Sequence, residues 1–364
     1  MLLTLFASLS LSFASHPLFE MTLEEKVGQL LMVQFTGELA NEEARVLIQD
    51  THVGGIIYYN WSNGLHSPKQ VQSLSLSLQE LTNGNPHPIP LFIAIDQEGG
   101  AISRLQQGFS HFPGNAVVGN TGNPQLAKEI AFTVGNELRA VGINMNLAPV
   151  VDVNSNPQNL VIGARSFSDQ PQIVAAFGEQ ALQGYREAHV LATLKHFPGH
   201  GDTTVDSHAD LPIVHKSLSE LKKVELLPFS QLASSAEAIM TAHILIPAFD
   251  TENCSTLSEK TLRYLREIIG FQGLIVSDSL IMEGVLKQCG TVEEAAIQTL
   301  QAGCDLLILG GKLLIGEKRG FELRLSDIQR IHRALIEAVQ SGRITEARVD
   351  QAVEKILNLK ERYK

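Results

Sequence analysis

The chain is poor in cysteine, in tryptophan and in basic charge. Its three cysteines, Cys254, Cys289 and Cys304, form neither a disulfide framework nor a CxxC metal site. They read instead as small buried hydrophobes. Lys and Arg number 28 against 39 Asp and Glu, a net charge of −11. No cluster of basic residues relieves that balance, which excludes a broad nucleic-acid footprint. Also missing are His-Glu-x-x-His and the His-x-His that barrel metallohydrolases carry after their first strand. No apolar run is long enough to span a bilayer; residues 1–15, MLLTLFASLSLSFAS, are too short.

Those first residues admit two readings. They resemble the apolar core of a signal peptide, with Ala14-Ser15 before a cleavage site, but no Lys or Arg precedes Lys26. Alternatively Met21 opens the domain with MTLEEKVGQLL, and residues 1–20 are a mis-called start. The expected location is the cytoplasm, with export as the alternative if residues 1–15 act as a signal.

With 44% hydrophobic and 18% charged residues, the rest of the chain has the composition of a soluble globular protein and not of a disordered one. Short runs that are apolar on both faces recur at Leu31–Phe35, Val53–Tyr59, Leu91–Ile95, Asn144–Pro149, Leu191–Lys195, Ala238–Ala242, Leu274–Ser277 and Leu306–Leu309. A parallel sheet covered by helices requires such strands. Helical signals fill the gaps. Thr22-x-x-Glu25 and Thr291-x-x-Glu294 read as capping boxes. Asn123-Pro124 opens a helix with Leu126, Ile130, Val134 and Leu138 on one stripe, ended by Gly142; another runs from Ser258 to Ile269 with Gly270 as its stop. Ile328, Ile331, Leu335 and Val339, then Val349, Val353 and Ile356, mark the last two. Eight βα units with no linker predict an α/β fold, a single-domain (β/α)8 TIM barrel over residues 21–364. A doubly wound open sheet is the alternative, and no G-x-G-x-x-G supports it.

In such a barrel the reactive groups follow strand C-termini. Asp96-Gln97-Glu98-Gly99-Gly100, Asp152, Lys195-His196, His243 and Asp278 all fall there. For a single Asp, a helix N-cap is the ordinary explanation, and for Asp278 that helix would begin near Met282. Five polar strand ends on one rim are harder to explain that way. The densest segment is KHFPGHGDTTVDSH at 195–208, a loop by its glycines and proline. Its three His and two Asp also suit a metal, or simply one another's backbone groups.

This segment resembles the signature loop of single-domain β-N-acetylglucosaminidases of glycoside hydrolase family 3, the type that acts in bacterial peptidoglycan recycling. IDQEGG at 95–100 with Arg104, NLAPVVDV at 146–153, GARSFSD at 163–169, GLIVSDSLIMEGV at 273–285 and QAGCDLLIL at 301–309 resemble that family's motifs in its order. The resemblance covers roughly residues 20–360 and implies a retaining exo-glycosidase. It implies Asp278 as nucleophile, His208 as general acid/base and Asp206 as its dyad partner. It also implies that Asp96, Arg104, Arg165, Lys195 and His196 hold the N-acetylglucosamine unit. Two-domain relatives place a Glu acid on a further domain; here the chain ends soon after its barrel, which favours His208 as the substitute. Ser279 departs from the family, which often has a second Asp there.

The residue types suit the chemistry. A carboxylate can attack an anomeric carbon, and an imidazolium, favoured by a neighbouring Asp, can protonate the leaving oxygen. Retaining enzymes usually place two carboxylates about 5–5.5 Å apart, a rule that a His acid makes inapplicable. Arg104, Arg165 and Lys195 supply donors for hydroxyls and an acetamido carbonyl, with ordinary ion pairing at the rim as the competing reading. Trp61, the one tryptophan, either stacks on a sugar or fills the core. Pro198, Gly199 and Gly201 suggest a loop that carries His208 over the sugar and withdraws. The expected partner is an N-acetylglucosamine-containing oligosaccharide such as a muropeptide, acted on by a monomer without metal or organic cofactor. Three alternatives remain at this point: another family 3 β-glycosidase (β-glucosidase or β-xylosidase), substrate-assisted hydrolysis through Asp96 and Glu98, and a sugar-binding protein without catalysis.

Overall fold

The computed structural model of the chain describes residues 17–204, 206–207, 210–313 and 319–364. The signal-peptide segment up to residue 16 and His208 lie outside the described residues.

All eight expected strands form. They are β1 Leu31–Val33, β2 Gly55–Ile57, β3 Phe92–Ile95, β4 Met145–Asn146, β5 Leu191–Phe197, β6 Ala238–Thr241, β7 Leu274–Val276 and β8 Leu307–Leu309. Each pairs in parallel with its sequence neighbour, and β8 returns to β1 with Met32 opposite Ile308. A parallel bridge from Val276 to Leu306 closes the last gap between β7 and β8. Closure removes the doubly wound alternative, because an open sheet would leave two unpaired edges. Every strand residue is buried, since side chains fill the barrel interior on one face and meet helices on the other.

The helical readings hold with three corrections. Thr22 and Glu25 do form a reciprocal capping box. Thr291 accepts from the Glu294 N–H, but the Glu294 carboxylate turns to Arg343 and Gln298 instead of closing the box. In helix Pro124–Ala140 the deeply buried face is Ala127, Ala131, Val134 and Leu138, so Leu126 and Ile130 sit at its margin. Small residues face inward there because helix Pro171–Glu187 approaches closely: a Cβ at Gly184 would lie 2.3 Å from the Lys128 carbonyl oxygen. The Ser258–Ile269 stretch starts as an α-helix, Glu259–Arg263, and ends in a π turn, Tyr264–Ile268, before Gly270 at φ +82°. Cys254 and Cys304 are buried, Cys289 is half-buried, and none of the three is bonded to another.

Candidate functional site

The strand C-termini open into one cavity of about 300 Å³. Asp96 and Glu98 reach it from the end of β3, Lys195 and His196 from β5, and Asp278 from β7. Arg104 and Arg165 enter from the loops after β3 and β4. Six of the eight expected residues, Asp278, Asp96, Arg104, Arg165, Lys195 and His196, therefore share one wall-to-wall space. Asp206 is described and half-buried, its carbonyl accepting from the Asp210 N–H at 3.0 Å; Ser207, between Asp206 and His208, lines the cavity.

The cations at the rim are both ion-paired and cavity-lining, so the two readings of Arg165 and Lys195 are realised together. The Lys195 ammonium sits 2.8 Å from Asp96 Oδ1 and 2.6 Å from Glu98 Oε1. Arg165 grips Glu98 with two parallel bonds of 2.8 Å, the fork geometry that fixes a carboxylate plane. Burial alone would push the Glu98 carboxyl up, but Arg165 and Lys195 outweigh it and hold it well below the usual carboxylate range. Lys195 is likewise held above the ordinary lysine value: burial pulls it down, and Asp96 and Glu98 pull it further up. Arg104 is more loosely placed, 3.8 Å from Asp96, with its Nε buried and lacking a hydrogen-bond partner.

A second network fixes the loop after β5. Asp152, fully buried, accepts from His196 Nδ1 at 2.7 Å and from the backbone N–H groups of His196 and His200 at 3.2 and 2.6 Å. It is a loop anchor and not a helix cap. The His200 ring is held between Thr203 Oγ1 and Ser207 Oγ at 2.9 and 3.0 Å. Burial depresses its pKa to about 4, against the pull of Asp152, so the ring is neutral near pH 7. Gly201 is required by contact: a Cβ there would fall 1.6 Å from the Val153 carbonyl oxygen. The Lys195–His196 and Phe197–Pro198 peptides are both cis. Among the described residues, no three His, Cys, Asp or Glu side chains converge as metal ligands.

Asp278 stands on clamped backbone. The imidazole of His243, at the end of β6, donates from Nε2 to the Ser279 carbonyl at 2.9 Å; the Ser279 hydroxyl donates to the Gly310 carbonyl at 2.5 Å. The Ser277 hydroxyl accepts from the Ile308 N–H. Asp278 Oδ1 itself accepts from the Ser279 N–H at 2.7 Å. The helix that follows, Glu283–Cys289, takes Met282 as its N-cap, so the capping alternative for Asp278 is not realised. Trp61 is 42% exposed at the cavity wall, stacked on Tyr59 at 4.3 Å, which overturns core burial.

Sequence reasoning missed two anchors. Glu98 entered only within the strand-end run 96–100 and as half of an alternative pair, and Asp152 only as one more strand-end acid. The usable signal was position: both are acids just past strands whose neighbours supply unpaired cations or imidazoles.

Fold and site together define a (β/α)8-barrel protein with a pocket of about 300 Å³, carrying paired charges, at its C-terminal face. The model of the glycosyl hydrolase family 3 N-terminal domain matches residues 22–359. The chain is 36% identical over 339 residues to beta-hexosaminidase A of Pseudoalteromonas piscicida, covering 87% of this chain and 55% of that protein. It is 32% identical over 304 residues to beta-hexosaminidase of Pseudomonas aeruginosa, covering 83% and 86%. A family 3 beta-N-acetylglucosaminidase from Paenibacillus superposes with a TM-score of 0.88 at 43% identity, over 94% of this chain and 63% of that one. The chain belongs to glycosyl hydrolase family 3. It spans little more than half the length of the first of these relatives and most of the second.

Proposed function

We propose that the protein is a retaining, exo-acting β-N-acetylhexosaminidase that releases terminal β-linked N-acetylglucosamine. The observation that carries this reading is Asp278, half-buried on clamped backbone, facing the same cavity as the Lys195–Asp96 and Arg165–Glu98 pairs. Asp278 attacks the anomeric carbon and forms a glycosyl ester as the leaving oxygen takes a proton. His208, next to the cavity-lining Ser207, supplies that proton with Asp206 as its partner, then accepts one from the water that hydrolyses the ester. Asp96 accepts from sugar hydroxyls, while Arg104, Lys195 and His196 supply donors to hydroxyls and the acetamido carbonyl. A cavity of about 300 Å³ suits a single sugar unit, and so an exo mode. The relatives named beta-hexosaminidase support the acetamido specificity, and peptidoglycan fragments are the proposed substrate.

Glu98 speaks against substrate-assisted hydrolysis through Asp96 and Glu98. Both of its oxygens are bonded to cations, and its carboxyl is held too acidic to carry a proton near neutral pH. The test is a chromogenic N-acetyl-β-glucosaminide assay on wild type, Asp278→Asn and His208→Ala, beside the matching glucoside. Asp278→Asn is expected to lose at least about 10³-fold in kcat. Near-normal turnover would refute the covalent route. Preference for the glucoside would point to another family 3 glycosidase, and binding without hydrolysis by wild type to a sugar-binding protein.

A further inference from the structure

The opposite end of the barrel carries a second charged centre that the reaction does not use. Asp305, just before β8, is fully buried and is shared by three cations. Arg266 reaches Oδ2 at 2.6 Å and Arg348 reaches Oδ1 at 2.9 Å. The Ile275 N–H takes part of Oδ2 as well. Lys355 is left with long contacts of 3.3 and 3.5 Å.

Two cavities meet at Lys355. One, of about 660 Å³, is also lined by Arg186, Glu237 and Arg362; the other, of about 470 Å³, by Arg263, Arg266 and Arg348. The acids within reach, among the described residues, are Asp305, Glu237, Glu259, Glu267 and Glu179, the last bonded to the lining Ser235. Glu237 is engaged by Arg362 and the Tyr363 hydroxyl, and Glu259 by Arg263. Six cations face five acids, and three of the six converge on Asp305, a local surplus of positive charge on a chain of net charge −11. The groups register that surplus. Burial, with the charges of Arg266 and Arg348, holds Lys355 below the ordinary lysine range despite Asp305, and Arg266 is also held low.

We infer that this cleft, beneath β6, β7 and β8, binds a phosphate group, with Lys355 as its central donor and Arg266 and Arg348 behind it. A phosphate oxygen would give the Lys355 ammonium the short charge-assisted bonds that Asp305 cannot spare. The volume around it leaves room for an attached organic group. The site lies at the face of the barrel remote from the sugar pocket, so a ligand there acts on the stability of the folded chain and not on the glycosidic bond.

The test uses the full chain. Inorganic phosphate, a hexose phosphate and chloride are titrated at matched ionic strength while the unfolding midpoint and binding heat are followed. Wild type is expected to show a saturable rise in midpoint with the phosphates and none with chloride. Lys355→Met should bind about tenfold more weakly. Lys355→Glu supplies the cluster with a resident carboxylate; it should raise the midpoint in plain buffer and abolish the phosphate response. Retained glycosidase turnover in both variants shows that they are folded. Saturation by inorganic phosphate alone identifies the free ion as sufficient, and saturation only by the hexose phosphate identifies an ester. Phosphate responses in Lys355→Met and Lys355→Glu equal to wild type, or equal responses to phosphate and chloride, would overturn the inference.

Discussion

Glu98 and Asp305 are both buried carboxylates gripped by arginine and lysine, at opposite ends of the barrel. Their surroundings differ in one respect. Around Glu98 the cations are matched by further acids, Asp96 and Asp152, and Lys195 and Arg165 are held more basic than usual. Around Asp305 one carboxylate serves three cations, and Lys355 and Arg266 are held less basic than usual. The same residue types thus make a charge-balanced wall at one end and a cation-rich cleft at the other. Counting partners, and not identifying pairs, predicts which lysine is content.

The largest effects come from removing either carboxylate. Glu98→Gln takes the carboxylate from Arg165 and leaves Lys195 with Asp96 alone, and Asp305→Asn strands three cations; each is expected to cost roughly 3–5 kcal/mol in chemical denaturation. The two part company in activity. Glu98→Gln should lose substrate affinity as Arg165 and the proposed donor Lys195 lose their register, while the folded fraction of Asp305→Asn should turn over normally. Equal activity loss in both would break the division between a working end and a structural end.

Removing the lysines separates the ends more sharply. Lys195→Met leaves Glu98 with Arg165 alone and Asp96 with only the 3.8 Å contact to Arg104, with a cost on the order of 3 kcal/mol. Lys355→Met removes a crowded charge and should change stability by less than about 1 kcal/mol, in either direction. Denaturation midpoints at unchanged m-value measure both. A large loss in Lys355→Met would mean that Asp305 needs all three partners.

Much of this contrast was legible before any coordinates. Eight doubly apolar runs gave the barrel, because burial on both faces admits few other parallel folds. Strand-end position then gathered Asp96, Lys195, His196 and Asp278 onto one rim. What stayed hidden depended on distances between separate loops. Glu98 is an anchor only because Arg165, far along the chain, folds back onto it. Asp152 stayed one strand-end acid among several because nothing local shows that it faces the backbone of His196 and His200. In the helix Pro124–Ala140, Val134 and Leu138 were read correctly, but Leu126 and Ile130 were chosen over the buried Ala127 and Ala131 because leucine and isoleucine outweigh alanine in a hydrophobic pattern, although close helix packing buries the small face.

The finest test of the comparison is pH, where His200 and the lower-end lysines should act on opposite limbs of the stability curve. His200, lining the cavity at the strand C-termini, is lowered from 6.5 to about 4 by burial. Between those values the unfolded chain holds a proton that the folded chain refuses, so stability falls as pH drops through that window. His332, also lowered by burial but set beside His52 at the lower end, adds in the same direction, and His200→Gln isolates the first contribution. Beneath the barrel, Lys360 is fully buried against Gln29 and Phe92, and burial alone brings it from 10.5 to about 7. Its folded form is neutral above about 7 while the unfolded form stays charged to about 10.5, so stability rises with pH across that interval. Lys355 adds to the same limb. Each site contributes at most about 1.36 kcal/mol per pH unit. Lys360→Met should flatten the alkaline rise, and His200→Gln should flatten the acid fall without touching the other limb. An alkaline rise that survives in Lys360→Met, Lys355→Met and their double variant would place the titrating group elsewhere and leave the lower end of the barrel electrostatically silent.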